Sequence, residues 1–75
     1  MASQLNHEIL YMPIEDLNVS EFLLLDFLKS GFKTLSDALE YDGDDLLTIK
    51  GFSLHSIVEI IGILNKEGLQ DLFKD

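Results

Sequence analysis

Three features of this chain predict an all-α domain of four to five short helices. Caps and glycines punctuate it at helical spacing: Ser20 and Gly31 bracket one stretch, Thr34 and Asp37 open another, and Ser53 and Gly68 bracket a third. Apolar residues recur with a helical period between these marks, and the one proline, Pro13, lies ahead of all of them. The segment from Leu46 to Ile60 reads as a short helix, a tight turn centred on Gly51 and a capped amphipathic helix, which is a helix-hairpin-helix pattern.

Residues 1–8 are polar and without period, and are expected to be mobile. Residues 9–69 form the domain. In its first part Ile9, Leu10, Tyr11, Met12, Ile14 and Leu17 surround Pro13, which disfavours a helix there and predicts an extended N-terminal arm laid on the core. Residues 70–75 are a C-terminal tail that either adds a weak turn through Leu69, Leu72 and Phe73 or frays.

Ser20 caps a first helix from about Glu21 to Ser30, with Gly31 suited to the left-handed position beyond its end. At about 100° per residue, Leu23, Leu24, Phe27 and Leu28 share an apolar arc, and Glu21, Asp26, Lys29 and Ser30 cover the other side. Phe22 and Leu25 break this division, standing one turn apart on the polar side. Thr34 with Asp37 forms a capping box for a second helix of roughly Leu35 to Tyr41. A one-turn helix follows near Asp44, where Asp44 and Asp45 suit the positive end of the dipole and Leu46, Leu47 and Ile49 supply core contacts. Lys50, Gly51 and Phe52 make the hairpin. The last helix runs from about Leu54 to Glu67, with Leu54, Ile57, Ile60, Ile61 and Leu64 inward, His55, Glu59 and Lys66 outward, and Ile63 an apolar intruder among the latter.

The composition narrows what such a domain can do. Fourteen acidic residues face five lysines and no arginine, giving a net charge of −9 on 75 residues. That field repels nucleic acid and anionic membranes and attracts basic partners. The absence of Cys removes disulfides and thiolate metal sites and, with no secretory signal pattern, fits a cytoplasmic protein. No apolar run approaches the roughly 20 residues that span a bilayer. His7 and His55 lie far apart in sequence, no set of His, Asp and Glu has metal-ligand spacing, and no serine sits in a nucleophile elbow. Asp42, Asp44 and Asp45 lack the ladder of a calcium loop and read as a helix-capping cluster. A non-catalytic domain without metal or cofactor is expected.

The ordered residues resemble the C-terminal domain of the bacterial RNA polymerase alpha subunit. The likeness runs from Ile9, Leu10, Pro13, Ile14 and Leu17 through Val19 and Ser20, Gly31 and Phe32, and Leu35, Ser36 and Asp37. It continues through Leu46, Leu47 and the hairpin to Ser56, Ile57, Val58, Glu59, Ile60, Gly68 and Leu69. It implies a compact four- to five-helix fold, binding to the minor groove of A/T-rich upstream promoter DNA, and contacts with activators and sigma factor. In the resemblance, DNA contact rests on an Arg, an Asn, a Gly, a Lys and a Ser. Those positions are Phe22, Leu25, Ser53, His55 and Ser56 here, so only the serine is kept. Asp42, Asp44 and Asp45 fall in the loop where the resemblance implies activator docking, and Asp16 and Asn18 fall near its sigma-facing residues.

Minor-groove binding needs a cation among the phosphates, and the central cation has become a phenyl ring. The expectation is therefore a transcription domain that works through protein contacts, with direct DNA binding weak or absent. Phe22, Leu25 and Ile63 are its candidate partner surface, facing a transcription component, a basic protein or a second copy in a homodimer, unless Phe22 and Leu25 fold under the N-terminal arm or the tail as core. One alternative is a promoter-binding module that still uses the hairpin amides, Ser56 and a partly protonated His55, and another is a scaffold or dimerisation domain with no tie to transcription. A free-standing protein and a fragment fit the sequence equally.

Overall fold

In the computed structural model, residues 7–74 are described. Residues 1–6 of the segment expected to be mobile lie outside them, while His7 and Glu8 join the first 3-10 turn. The expected extended arm is instead two 3-10 turns, His7–Leu10 and Ile14–Asp16, on either side of Pro13. Proline, with no N–H and a φ of −54°, interrupts the helical path, and its ψ of 137° opens the chain between the two turns, as Leu17, at φ −92° and ψ 150°, opens it after the second. Short-range bonds close the turns, Tyr11 N–H to the Glu8 carbonyl at 3.0 Å and Leu17 N–H to that of Ile14 at 3.1 Å. Leu10 and Ile14 enter the core, whereas Tyr11 and Met12 face solvent. Ile14 N–H donates to the Lys33 carbonyl at 2.8 Å, which ties this segment to the loop after the first helix.

Helix α1, Glu21–Ser30, forms as its caps predict. The Ser20 hydroxyl accepts from Leu23 N–H, and Gly31 takes a φ of 76° so that its N–H and that of Phe32 return to the Leu28 and Phe27 carbonyls. Leu23 and Phe27 are wholly buried. Two assignments on this helix are corrected: Leu28, expected inside, is 76% exposed, and Asp26, expected outside, is only 6% exposed. The covered arc is set by where the last helix lies, and that helix covers the Asp26 side of α1.

Helix α2, Leu35–Ala38, is shorter than predicted, because the chain tightens after Ala38 into a turn closed by Tyr41 N–H on the Ala38 carbonyl. Its start is held by the Asp37 carboxylate, which accepts from Lys33 N–H and Thr34 N–H. Helix α3, Gly43–Thr48, begins one residue before the expected Asp44, with Asp42 as its cap accepting from Asp45 N–H at 2.8 Å. Leu46 is fully buried, but Leu47 and Ile49, expected in the core, are exposed. So short a helix turns few side chains inward.

Gly51, at φ 73°, reverses the chain, and Phe52 N–H closes the hairpin on the Leu46 carbonyl at 2.9 Å. The Phe52 ring packs against Phe27 and Phe32, and the Lys50 ammonium lies over the Phe32 and Tyr41 rings. Helix α4, Leu54–Lys66, packs on α1 and α3 through Ile57, Ile60 and Leu64. Leu54 and Ile61, predicted inward, are exposed. After Gly68 the buried Leu69 leads into the 3-10 turn Gln70–Leu72, so the tail forms its turn rather than fraying. It closes against α3, with Gly43 N–H donating to the Lys74 carbonyl at 2.9 Å and Phe73 half-buried on the core. The buried apolar residues of all these elements make one cluster, and among the described residues there is no strand.

Candidate nucleic-acid and protein interface at the hairpin

The start of α1 and the start of α4 meet, bringing Phe22 to His55 and setting Ser53 with Ser56 beneath them, while Leu25 stands one turn along α1 from Phe22. Phe22 and Leu25 are 63% and 55% exposed, so neither is folded under the N-terminal segment or the tail as core. The Phe22 ring stacks on the imidazole of His55, centroids 5.8 Å apart and planes within 22°. His55 is itself exposed, so the pair forms an aromatic step at the surface.

Beneath that step the polar groups point inward. Ser56 has no exposed surface, and its hydroxyl donates to the Asp26 carboxylate at 2.6 Å. Ser53 N–H donates to the same Asp26 oxygen at 2.9 Å and the Ser53 hydroxyl lies 3.2 Å from it, while Ser56 N–H is taken by the Ser53 oxygen. Burial pushes the Asp26 carboxyl up, but the donors from Ser56 and Ser53, with Lys29 nearby, outweigh it and hold the group below its ordinary range. An anion bound at a helix N-terminus gains from the amides and the dipole. At α4 that anion is Asp26, supplied by the protein itself.

Glu59 repeats the arrangement in the other direction, accepting from the Ser20 N–H and hydroxyl at the start of α1. Sequence reasoning missed Asp26 and Glu59, because their partners lie 27 to 39 residues away and no local pattern couples them. A serine pair following a hairpin, with an acid elsewhere on a helix, is too common a combination to point to this bond.

The remaining candidates lie apart from one another. Ile63 is half-buried against the core, in a small cleft with Ile9, Leu17 and Val19, so it adds less surface than Phe22 and Leu25. Of the acidic loop, Asp44 is exposed, Asp42 is occupied as the α3 cap, and Asp45 is half-buried. Asp16 and Asn18 are exposed. A groove of about 690 Å³ runs between the second 3-10 turn, the end of α1 and residues 31–34, lined by Ile14, Leu24, Phe27, Leu28 and Phe32. Its ionisable groups are Glu15 and Lys33, which is no set for acid–base chemistry. Among the described residues no group of three His, Cys, Asp or Glu is placed to hold a metal, and no helix is long and apolar enough to cross a membrane.

Comparison with known proteins assigns the fold. The family model for the C-terminal domain of the bacterial RNA polymerase alpha subunit matches residues 2–66. The protein belongs to this family. It is also 38% identical over 55 residues to the DNA-directed RNA polymerase subunit alpha of Synechocystis sp. (strain ATCC 27184 / PCC 6803 / Kazusa), over 73% of this chain and 18% of that relative. The match thus spans less than a fifth of the length of the curated relative. No solved structure matches it significantly. As an alpha C-terminal domain it keeps the helices and the hairpin, while two of the five singled-out positions carry large apolar side chains and a third, Ser56, is sealed inside.

Proposed function

We propose that this alpha C-terminal domain is a non-catalytic module of bacterial transcription, acting in the cytoplasm through protein contacts, with direct DNA binding weakened or lost. The observation that carries the reading is the junction of Phe22 and His55 above Asp26. Where a cation would have to reach phosphates stands a phenyl ring stacked on an imidazole, and beneath it Ser53 N–H and the hydroxyls of Ser53 and Ser56 are turned to the internal carboxylate of Asp26. The counterion-release term that drives DNA binding comes from Lys and Arg, and the junction offers neither at these positions. Exposed Phe22 and Leu25 instead make an apolar patch of the kind that marks a partner surface on a small domain. The net charge of −9 favours encounter with a basic partner, with the apolar patch holding the complex.

Titration of a labelled A/T-rich duplex with the protein at low and moderate salt tests this reading. No binding is expected, and clear binding with a steep salt slope overturns it in favour of the promoter-binding alternative. Binding to purified RNA polymerase, measured for the native protein and for a Phe22→Ser, Leu25→Ser variant, tests the protein side. The variant is expected to lose binding at unchanged melting temperature.

A further inference from the structure

The aromatic step at the hairpin is edged by acid. Glu21 is exposed at the start of α1, next to Phe22 in sequence and four residues before Leu25, so Glu21, Phe22 and Leu25 share one face of the first turns of this helix. On α4, Glu59 stands one turn after His55, and its carboxylate accepts from the Ser20 N–H and hydroxyl, two residues before Phe22. A carboxylate from each helix therefore borders the stacked rings of Phe22 and His55, and neither forms an ion pair. Among the described residues the one ion pair is that of Lys29 with Asp26, at 3.7 Å and about two turns along α1 from Phe22, and Lys66 lies at the far end of α4.

An exposed aromatic ring bordered by carboxylates has the chemistry of a cation acceptor. His55 covers one side of the Phe22 ring, yet Phe22 is still 63% exposed, so the ring keeps surface for a second contact. Its π face attracts a cation, Glu21 adds net charge at the edge, and Leu25 suits the methylene stem behind a charged head. A planar guanidinium fits these three features better than an ammonium, since it lies flat on a ring, turns its N–H fork to a carboxylate and is more weakly hydrated. This chain contains no arginine and its net charge of −9 opposes a second copy, so the occupant comes from another protein. We propose that the Phe22–His55 step is an arginine-acceptor site: a guanidinium carried by a basic partner protein stacks on Phe22 and pairs with Glu21, an assignment that rests on the junction being a protein-contact surface. Glu59, whose oxygens are both engaged by Ser20, contributes its charge and no direct bond.

Blocked Gly-Xaa-Gly peptides, with Xaa arginine, lysine or citrulline, titrated into the protein and followed by NMR through the ring signals of Phe22 and His55, read the site directly. Arginine is expected to shift these signals saturably and to bind about twofold or more tighter than lysine, while citrulline, its uncharged isostere, leaves them in place. Phe22→Leu keeps the patch apolar but removes the π face, and is expected to weaken arginine binding about two- to fivefold, the range of an exposed cation–π contact. Glu21→Gln is expected to weaken it about twofold. Both positions are exposed, so both variants should melt close to the native protein. Equal binding of arginine and lysine overturns the proposal, as does arginine binding that Phe22→Leu leaves unchanged, since diffuse attraction to an acidic surface then accounts for it. Either result beside polymerase binding that is lost in Phe22→Ser, Leu25→Ser overturns the arginine site and keeps the protein contact. An arginine preference lost in Phe22→Leu, in a protein that also binds A/T-rich duplex, supports the acceptor site and overturns the loss of DNA binding.

Discussion

The hydroxyl of Ser56 donates to the carboxylate of Asp26 at 2.6 Å, joining the first turn of α4 to the middle of α1 with both residues almost wholly shut from water. Buried polar groups of this kind stabilise only while every partner is present, and removing one leaves donors unpaired. The bond therefore fixes how the hairpin sits on α1 and decides which way its serines face.

The first prediction follows from the ionisation of Asp26. Its folded-state pKa is held below that of an unfolded aspartate, so its stabilising contribution is complete above about pH 4, the unfolded value, and fades as pH falls through the lower folded value. Asp26→Asn removes the charge but keeps the shape, and at neutral pH should cost about 1–3 kcal/mol. The expected signature is a difference in melting temperature between the native protein and the variant that is large at pH 7 and shrinks toward pH 2. Taking the difference cancels the other carboxylates, whose protonation relieves repulsion in so acidic a protein. A gap that stays constant across that range would show that Asp26 is not ionised in the fold.

Two substitutions on different helices separate covered from uncovered positions. Ile60→Ala should cost about 2–5 kcal/mol through the cavity it leaves in a fully buried site, enough to unfold a domain of this size. Leu28→Ala, at 76% exposure, should change stability by less than about 0.5 kcal/mol. Thermal melts of the pair check both. Equal losses would mean that Leu28 packs as the helix periodicity alone suggests.

That contrast marks where the sequence was legible. Ser20 with Gly31, Thr34 with Asp37 and Ser53 with Gly68 could be read because capping is local, completed within a few residues of the cap. Phe22 and Leu25 could be read because an apolar side chain on the polar arc of a helix is anomalous whatever covers the other arc. Asp26, Leu28, Leu54 and Ile61 could not, since the direction of burial depends on where α4 crosses α1, and the contacts at that crossing, such as the Ser56–Asp26 bond, join residues 30 positions apart. Leu47 and Ile49 failed for a related reason: hydrophobicity says that a residue gains from burial, not that a six-residue helix has room to bury it.

Restoring positive charge at the surface step tests whether the hairpin geometry still suits DNA. Phe22→Arg with His55→Lys replaces the aromatic stack by two cations at the junction of α1 and α4. The double variant should bind A/T-rich duplex at low salt, with a log–log salt slope of roughly −2 if each new cation meets one phosphate. Binding should remain weak, because Ser56 still faces Asp26. Fluorescence anisotropy across salt concentrations measures the slope. A variant that stays folded and binds no better than the native protein would mean that the backbone itself has moved away from a phosphate-accepting shape.

The tail supplies the last prediction. Gly43 N–H, at the start of α3, donates to the Lys74 carbonyl, and the Phe73 ring lies so close that a Cβ on Gly43 would sit 3.2 Å from it. Helix α3 has only six residues, too few to hold itself without tertiary support; α4 packs on it, and the tail adds a bond and a ring contact at its start. Phe73→Ala should therefore speed amide exchange at Gly43 and along α3 while leaving the amides of α1 and of α4 near Ile60 protected. Gly43→Ala should produce a milder form of the same change, since the Phe73 ring can shift by a few tenths of an ångström. Uniform acceleration throughout the protein would show instead that the tail is part of the global folding unit, and unchanged exchange at Gly43 would show that its N–H does not depend on the tail.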